Sequence, residues 1–143
     1  MGNCCNSFDS TAPFFSLEGL ITKAKVVDVY DGDTITCVFN TFGKYYRWKV
    51  RISHIDTPEI KTTNLIEKQA GLIVKRYVST LILGNVVTLK CGKFEKYGRL
   101  LGDIEYNGTD VGKMLLENGY AHKYEGKTKP TWTDQELCRI SQT

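Results

Sequence analysis

The sequence predicts an α+β fold, mainly β, in which a small five-stranded barrel carries one inserted helix and two helices near the carboxyl end. Three observations support this prediction. Five segments are rich in β-branched and apolar residues, and an amphipathic helical pattern follows the third of them. Two helix-capping signals stand downstream of the fifth segment.

The first three strands are predicted at residues 21–30, 34–39 and 45–55. The Asp31-Gly32 step between the first two is a hairpin signal, because this dipeptide accepts the backbone angles of a tight turn. We therefore expect an antiparallel hairpin followed directly by a third strand.

A helix of about five turns is predicted to follow, because apolar residues recur at helical spacing up to Gly84. Asn64 and Glu67 are spaced like a capping pair at its start, and Gly84 is a typical helix stop. The predicted apolar face consists of Ile66, Ala70, Ile73, Val74, Tyr77 and Leu81.

Two more strands are predicted at residues 86–91 and 99–106, before an Asn107-Gly108 turn. Thr109 or Asp110 can then cap a short helix that ends at residues 118–119, and Thr133 with Glu136 can cap a last helix. Five strands with a helix after the third are the pattern of the OB-fold, a small barrel whose open face binds oligonucleotides.

Composition is that of a soluble globular protein, with 41% hydrophobic and 24% charged residues in a chain of 143. We expect a flexible tail at residues 1–18 and one domain at residues 19–143.

Residues 44–99 hold twelve Lys or Arg against four Asp or Glu, although the net charge is only +3. This concentration favours a polyanionic partner. For Lys68, Lys75 and Arg76 a solvated helix face is an equal alternative.

Five cysteines, an odd number without C-x2-C spacing, argue against a zinc site and a disulfide framework. Cys37 and Cys91 alternate in phase with apolar neighbours and are predicted to be small core residues in a reducing compartment.

No apolar run is long enough to span a membrane, and the chain start lacks the pattern of a secretory signal. We expect an intracellular protein.

Three short blocks carry chemistry: Asp31-Gly32-Asp33-Thr34, the run of residues 51–59, and Lys96-Tyr97-Gly98-Arg99. They offer carboxylates for a hard cation and two guanidinium groups for a phosphate. Phosphodiester hydrolysis needs both, because charge develops on the phosphate oxygens in the transition state. The sequence therefore points to a nuclease.

In their order and spacing the three blocks resemble the D-G-D-T, R-x4-D-T-P-E and K-Y-G-R segments of the staphylococcal nuclease (thermonuclease) family, over residues 19–127. The resemblance implies the OB-fold and calcium-dependent cleavage of DNA and RNA. It also implies little sequence specificity and products that end in 3′-phosphate. An OB-fold module that binds nucleic acid without catalysis is the alternative, although the acidic and arginine positions are all present.

The resemblance implies that Asp33 and Asp56 bind the metal and that Thr57 supplies a backbone carbonyl. Two carboxylates with a carbonyl suit Ca²⁺, which takes six to eight oxygen ligands. A purely structural role in turns is the alternative for Asp31, Asp33 and Asp56, and for Asp31 it has about equal weight.

The same resemblance makes Glu59 the general base and assigns Arg51 and Arg99 to the scissile phosphate. A guanidinium group meets two phosphate oxygens at once and stays charged. The alternatives are a surface carboxylate for Glu59 and surface ion pairs for the arginines. Because Arg51 and Asp56 are five residues apart, an ideal strand would send them to opposite faces, so the strand must bend, bulge or end between them.

The substrate contacts that the resemblance implies are Lys96, Tyr97 and Tyr124. We expect single-stranded or unpaired nucleic acid to be preferred. We also expect a monomeric protein. Tyr124 has rim packing as its alternative. Stacking of a base on one ring is worth ~1–3 kcal/mol and tolerates any base. The chain departs from the family at Glu95, where an aspartate is common, and in the short loop from Glu59 to Asn64.

The chain start resembles a double-acylation signal, with Gly2 for myristate and Cys4 and Cys5 for palmitate. Asn6 stands where Ser or Thr is expected, and incidental cysteines in a tail are the alternative. A single myristate binds only marginally, and no basic residue precedes Lys23, so palmitate on the cysteines must supply the second attachment. With both signals we expect attachment to the cytoplasmic face of a membrane.

Overall fold

The computed structural model describes residues 7–143, and Gly2, Cys4 and Cys5 lie outside the described residues. Eight strands and three helices lie within this range. In chain order they are β1 (Ile21–Asp31), β2 (Thr34–Thr41), β3 (Lys44–Ile52), β4 (Ile55–Asp56), α1 (Leu65–Ile82), β5 (Val86–Phe94), β6 (Leu100–Tyr106), β7 (Thr109–Asp110), α2 (Val111–Glu117), β8 (His122–Lys123) and α3 (Asp134–Ser141).

Five strands close into a barrel in the order β3-β2-β1-β5-β6. Neighbours in this order are antiparallel, and parallel pairing of β3 with β6, such as Val50 with Leu100, closes the ring. Closure removes the exposed strand edges that an open sheet would leave. The predicted fold, an α+β OB-fold with α1 inserted after the third barrel strand and two helices near the carboxyl end, is confirmed.

The barrel interior follows the alternation of side chains along the strands. On β2, Ile35, Cys37 and Phe39 are buried, and the intervening side chains are more exposed. Helix α1 closes the core with Val74, Val78 and Ile82, each fully buried. Cys37 and Cys91 are buried core residues, as predicted.

Helix α1 begins as predicted, but its second capping contact differs from the prediction. The Asn64 side chain accepts hydrogen bonds from the backbone of Ile66 and Glu67. The Glu67 carboxylate does not return to Asn64; it accepts the Glu59 backbone N–H at 2.9 Å. Ile66, predicted on the apolar face, is 40% exposed, because only the side of the helix that meets the barrel is buried.

The two later helices have side-chain caps. Asp110, one of two predicted candidates, caps α2 by accepting the Lys113 N–H. Thr133 and Glu136 form a reciprocal capping box at the start of α3, as predicted.

The third strand is shorter than predicted, because the chain turns after Ile52. His54 has φ of 68°, a left-handed conformation that no residue keeps in a strand. The chain then re-enters extended structure as β4, which pairs with β8. The expectation that the strand ends or bends between Arg51 and Asp56 is thereby confirmed.

The segment before β1 already contacts the barrel. Leu17 is buried, and Gly19 donates its backbone N–H to Cys91 O. The Phe15 ring lies 5.8 Å from Phe42 and 6.0 Å from Phe94, measured between centroids. Within residues 7–143, none of the helices has both the length and the apolarity needed to cross a membrane.

Candidate active site

The three sequence blocks converge at one end of the barrel. The β1–β2 turn supplies Asp33, the end of β3 supplies Arg51, and β4 with the following loop supplies Asp56, Thr57 and Glu59. Arg99 precedes β6 and reaches the same region through Thr34. Thus the structure brings together the candidate metal-binding and catalytic residues of the sequence analysis.

Asp33 is held by hydrogen bonds on both oxygens. Its Oδ2 accepts the Thr57 backbone N–H at 3.1 Å and the Thr57 hydroxyl at 3.2 Å. Its Oδ1 accepts the Thr34 hydroxyl at 3.2 Å. These hydrogen bonds keep the carboxylate fixed in the site, although it is almost fully buried.

Arg51 links the two candidate metal-binding carboxylates. Its Nη2 lies 3.4 Å from Asp33 Oδ2 and 3.7 Å from Asp56 Oδ1, and its side chain is 4% exposed. The other terminal nitrogen, Nη1, donates to the Ile55 carbonyl at 3.0 Å. This convergence is possible because the chain turns between Ile52 and Ile55.

Asp56 carries a buried oxygen without a hydrogen-bond partner. Its Oδ1 is in contact range of Arg51 and of Lys129, whose Nζ is 3.5 Å away, but neither forms a hydrogen bond with this atom. An unsatisfied buried carboxylate oxygen is costly unless a cation or water meets it. Asp56 Oδ1, which has two ion-pair contacts but no hydrogen bond, is therefore a candidate metal ligand.

Glu59 is fixed at its backbone and paired at its side chain. Its N–H donates to Glu67 of α1, and its Oε1 lies 2.9 Å from Lys129 Nζ. Gly71 of α1 lets this loop approach closely, since a Cβ there would lie 2.8 Å from Pro58 O and 3.0 Å from Glu59 O. The helix is therefore the support of the loop that carries Glu59.

Position 32 requires glycine because neighbouring side chains leave no room for a Cβ atom, and not because of its backbone conformation. A Cβ at this position would lie 2.6 Å from Val74 Cγ1 and 2.9 Å from the Thr57 side chain. The Asp31 side chain accepts the Asp33 N–H at 3.1 Å, which is the turn role considered for it.

Arg99 lies at the edge of the site, more exposed than Arg51. Its Nε is 2.7 Å from Glu95 Oε1, and its Nη1 donates to the Thr34 hydroxyl at 3.1 Å. Glu95 is the position where the chain departs from the family pattern. The Glu95 side chain is longer than that of aspartate, and it pairs with Arg99 four residues later.

A groove of about 480 Å³ runs between the two arginines. The predicted substrate contacts Lys96, Tyr97 and Tyr124 all line it. The Arg51 guanidinium carbon lies 5.1 Å from the centre of the Tyr124 ring, within the range of a cation–π contact. Tyr97 is 85% exposed and therefore open to a stacking partner.

Burial raises the pKa of two carboxylates at the site, Asp31 and Asp56. Burial, with the Asp33 charge adding to it, raises the pKa of Asp31 to about 7. Burial also raises the pKa of Asp56, in spite of the opposing charges of Lys129 and Arg51. An added cation would stabilise the ionised forms of both groups, so these residues fit a hard divalent ion.

The protein provides only part of a coordination shell. No group of three or more His, Cys, Asp or Glu side chains is arranged to hold a metal within residues 7–143. Asp33 and Asp56, which both lie within 4 Å of Arg51 Nη2, would leave the other ligand positions to water and substrate oxygens.

Two residues of the site escaped the sequence analysis. Lys129 lies in a polar segment with no periodicity, and nothing in the spacing of the chain links it to Asp56 or Glu59. Glu67 was assigned to the helix cap, and the loop after β4 that brings Glu59 to it gave no specific signal.

The two histidines lie outside the cluster of carboxylates and arginines. His54 is largely exposed and lies 3.1 Å from Glu125. His122 pairs with Glu136 at 2.7 Å and stacks on Trp132 with ring centroids 3.7 Å apart. This second contact ties the segment before α3 to β8.

Comparison with known proteins decides the family. The model of the family described as staphylococcal nuclease homologue matches residues 49–143, which is most of the chain. The chain belongs to this family. The matched range includes Arg51, Asp56, Glu59 and Arg99, and the Asp33 turn precedes it.

Relatives of the chain include bacterial proteins named as endonucleases. Endonuclease YncB of Bacillus subtilis is 34% identical over 105 residues, covering 69% of this chain and 48% of the relative. An uncharacterized endonuclease of Escherichia coli is 29% identical over 102 residues, covering 71% and 60%. An uncharacterized protein of Bacillus anthracis is 32% identical over 108 residues, covering 73% and 49%. The chain thus spans about half to three fifths of the length of these relatives.

Proposed function

We propose that the protein is a metal-dependent endonuclease that hydrolyses phosphodiester bonds in DNA and RNA with little sequence specificity. The observation that carries this proposal is the position of Arg51. Its buried guanidinium contacts both Asp33 and Asp56 and also borders the groove that Arg99 lines. Family membership and relatives named as endonucleases support the same activity.

Each residue has a part in hydrolysis that its position supports. Glu59, with 45% of its side chain exposed, accepts a proton from the attacking water. Arg51 and Arg99 bind the equatorial phosphate oxygens and stabilise the charge that develops there. The water oxygen bonds to phosphorus as the bond to the 5′ oxygen breaks, and the leaving 5′ oxygen takes a proton from solvent, so the upstream product keeps a 3′-phosphate.

We assign the cation site to Asp33 and Asp56, with the Thr57 carbonyl, and the ion to Ca²⁺. When bound, the ion neutralises phosphate charge and makes a coordinated water more acidic. The choice of Ca²⁺ follows the family resemblance: Ca²⁺ accepts six to eight oxygen ligands in variable geometry, so water and phosphate oxygens can complete its shell, whereas Mg²⁺ demands a tighter octahedral geometry.

Substrate selection follows from the groove. Tyr97 and Tyr124 offer ring faces that stack on any base, and Lys96 offers a charge to phosphate. A base can stack on these rings only when it is unpaired. We therefore expect single-stranded or unpaired regions to be the preferred substrates.

A second basic surface supports a polyanionic substrate. Arg47 and Lys49 alternate along β3 with core residues, so they share a face with Arg51. Neither forms an ion pair within residues 7–143, and both line a groove of about 760 Å³ to which Asp28 also contributes. We assign this face to the strand that extends from the scissile phosphate.

Cleavage of a single-stranded oligonucleotide by the purified chain tests the proposal, with a fluorophore as the 5′ label because phosphatase cannot remove it. We expect products with Ca²⁺, none with a chelator, and weak activity with Mg²⁺ alone. Phosphatase treatment should slow the labelled products in a gel, because it removes a 3′-phosphate. Binding without cleavage under all these conditions would favour the non-catalytic OB-fold module.

A further inference from the structure

Lys129 contributes a cation to the catalytic cluster from a distant part of the chain. It lies between β8 and α3, 70 residues after Glu59. Its Nζ donates to Glu59 Oε1 at 2.9 Å and lies 3.5 Å from Asp56 Oδ1. One ammonium group thus contacts both the candidate base and a candidate metal-binding residue.

The segment that carries Lys129 is anchored on both sides. Before it, the Tyr124 N–H donates to the His54 carbonyl at 3.0 Å. After it, Trp132 stacks on His122, and Thr133 caps α3. Pro130 follows Lys129 directly and restricts its backbone to extended conformations.

The partners of Lys129 distinguish its ion pairs from those of an ordinary surface lysine. Asp56 is almost fully buried, and the oxygen nearest to Lys129 has no hydrogen bond. Lys129 is also the only side-chain partner of the Glu59 carboxylate within residues 7–143. Exposed pairs contribute little, whereas a charge beside a buried carboxylate is screened much less by solvent.

We propose that Lys129 is a positioning residue: it orients the Glu59 carboxylate for proton transfer and shares Asp56 with the bound cation. This inference rests on the proposed function. It differs from a phosphate-binding role, because the ammonium faces two carboxylates and does not line the nucleotide groove.

Two effects of opposite direction follow when the charge of Lys129 is removed. Glu59 loses the contact that selects one of its side-chain conformations, so turnover falls. Asp56 loses a competing positive charge, so Ca²⁺ binds more tightly. A residue that only stabilised the loop would not increase the affinity for calcium.

The test compares Lys129→Met, which keeps the apolar stem, with Lys129→Arg, which keeps the charge. Lys127→Met is the matched control, because Lys127 lies in the same segment and is exposed. Steady-state cleavage of the oligonucleotide gives kcat and KM. Calorimetric titration without nucleic acid gives the Kd for Ca²⁺, and circular dichroism checks the fold of each variant.

For Lys129→Met we expect kcat to fall about tenfold, a fraction of the full effect of a general base, with KM within about twofold of wild type. Its calcium Kd should fall at least about threefold, since a repulsive charge has been removed. Lys129→Arg should restore most of the turnover, and Lys127→Met should match wild type.

Wild-type kcat in Lys129→Met would overturn the inference, as would an unchanged or weaker affinity for Ca²⁺. A raised KM at unchanged kcat would instead make Lys129 a phosphate ligand. If the wild type itself does not cleave, the proposed function fails, and the calcium Kd alone decides whether Lys129 shares Asp56 with the cation.

Discussion

Arg51 and Arg99 have been assigned the same partner, but they occupy different environments. Arg51 is almost fully buried between two carboxylates, whereas the Arg99 side chain is 37% exposed. Removing one member of a buried ion pair leaves an uncompensated charge, which is strongly destabilising. Loss of Arg51 should therefore destabilise the protein more than loss of Arg99, although the proposed function assigns both to the phosphate.

Replacing each arginine by alanine separates these effects. Arg51→Ala should lower turnover at least about 100-fold and reduce the free energy of unfolding by about 3 kcal/mol. Arg99→Ala should lower turnover to a similar extent and reduce stability by less than about 1 kcal/mol. Single-turnover cleavage and urea unfolding measure the two quantities. Wild-type-like cleavage by Arg51→Ala would remove it from the catalytic assignment.

Among elements, α1 has a part in function as well as in packing. Its Glu67 binds the backbone of Glu59, and its Gly71 allows Pro58 and Glu59 to lie against the helix. The helix thus determines where the candidate base lies, although its own side chains do not enter the groove.

Gly71→Ala should reduce activity, although alanine is the better helix former by about 1 kcal/mol. The new methyl group would lie 2.8 Å from Pro58 O, so the loop must move away from the helix. Displacement by about 1 Å can cost up to 100-fold in rate, and we expect turnover to fall about tenfold. Gln69→Ala, at an exposed position of the same helix, is the control. Full activity in Gly71→Ala would show that the loop position is not critical.

Strand β3 leads to a prediction about substrate affinity. The double variant Arg47→Ala with Lys49→Ala should bind single-stranded DNA more weakly. The plot of log association constant against log salt concentration should become less steep by about 1.4, because two phosphate contacts are lost. The control pair Lys68→Ala with Arg76→Ala removes the same charge from exposed positions of α1. Fluorescence anisotropy at several salt concentrations measures both. Equal losses in the two pairs would indicate general attraction rather than a defined path along β3.

The elements themselves were largely predictable because their signals are local. Alternation along β2, the Asn64 cap and the Thr133 capping box depend on residues close in sequence. The length of β3 was overestimated, since His54 takes a left-handed conformation that its residue type does not announce. Glu67 was assigned to the wrong partner, because helix caps and loop contacts use the same side chains.

At the scale of the whole molecule, barrel closure brings the three motifs together. Their family spacing was sufficient to predict that Asp33, Arg51 and Asp56 form one site. The position of Lys129 depends on pairing of β4 with β8 and on the course of the segment before α3. Such contacts arise from tertiary structure, which is why the role of Lys129 could not be predicted from sequence.

Attachment to a membrane is a proposal that concerns the whole protein. In eukaryotic cells expressing this sequence from Met1, the protein should sediment with membranes. Gly2→Ala should release it, because acylation begins at that glycine, and replacing Cys4 and Cys5 by serine should leave only weak attachment. Cell fractionation measures the distribution. A wild type found wholly in the supernatant would contradict the anchor without affecting the catalytic assignment.

Hydrolysis at the cluster around Asp33 and Arg51 is tested most directly by single-turnover cleavage with wild type and Glu59→Ala purified in parallel. With Ca²⁺ present, we expect the variant to cleave a single-stranded oligonucleotide about 100- to 10,000-fold more slowly, the usual contribution of a general base. Its affinity for the oligonucleotide should be unchanged, because Glu59 does not line the groove. Equal cleavage rates for the two proteins would contradict the assignment of this site.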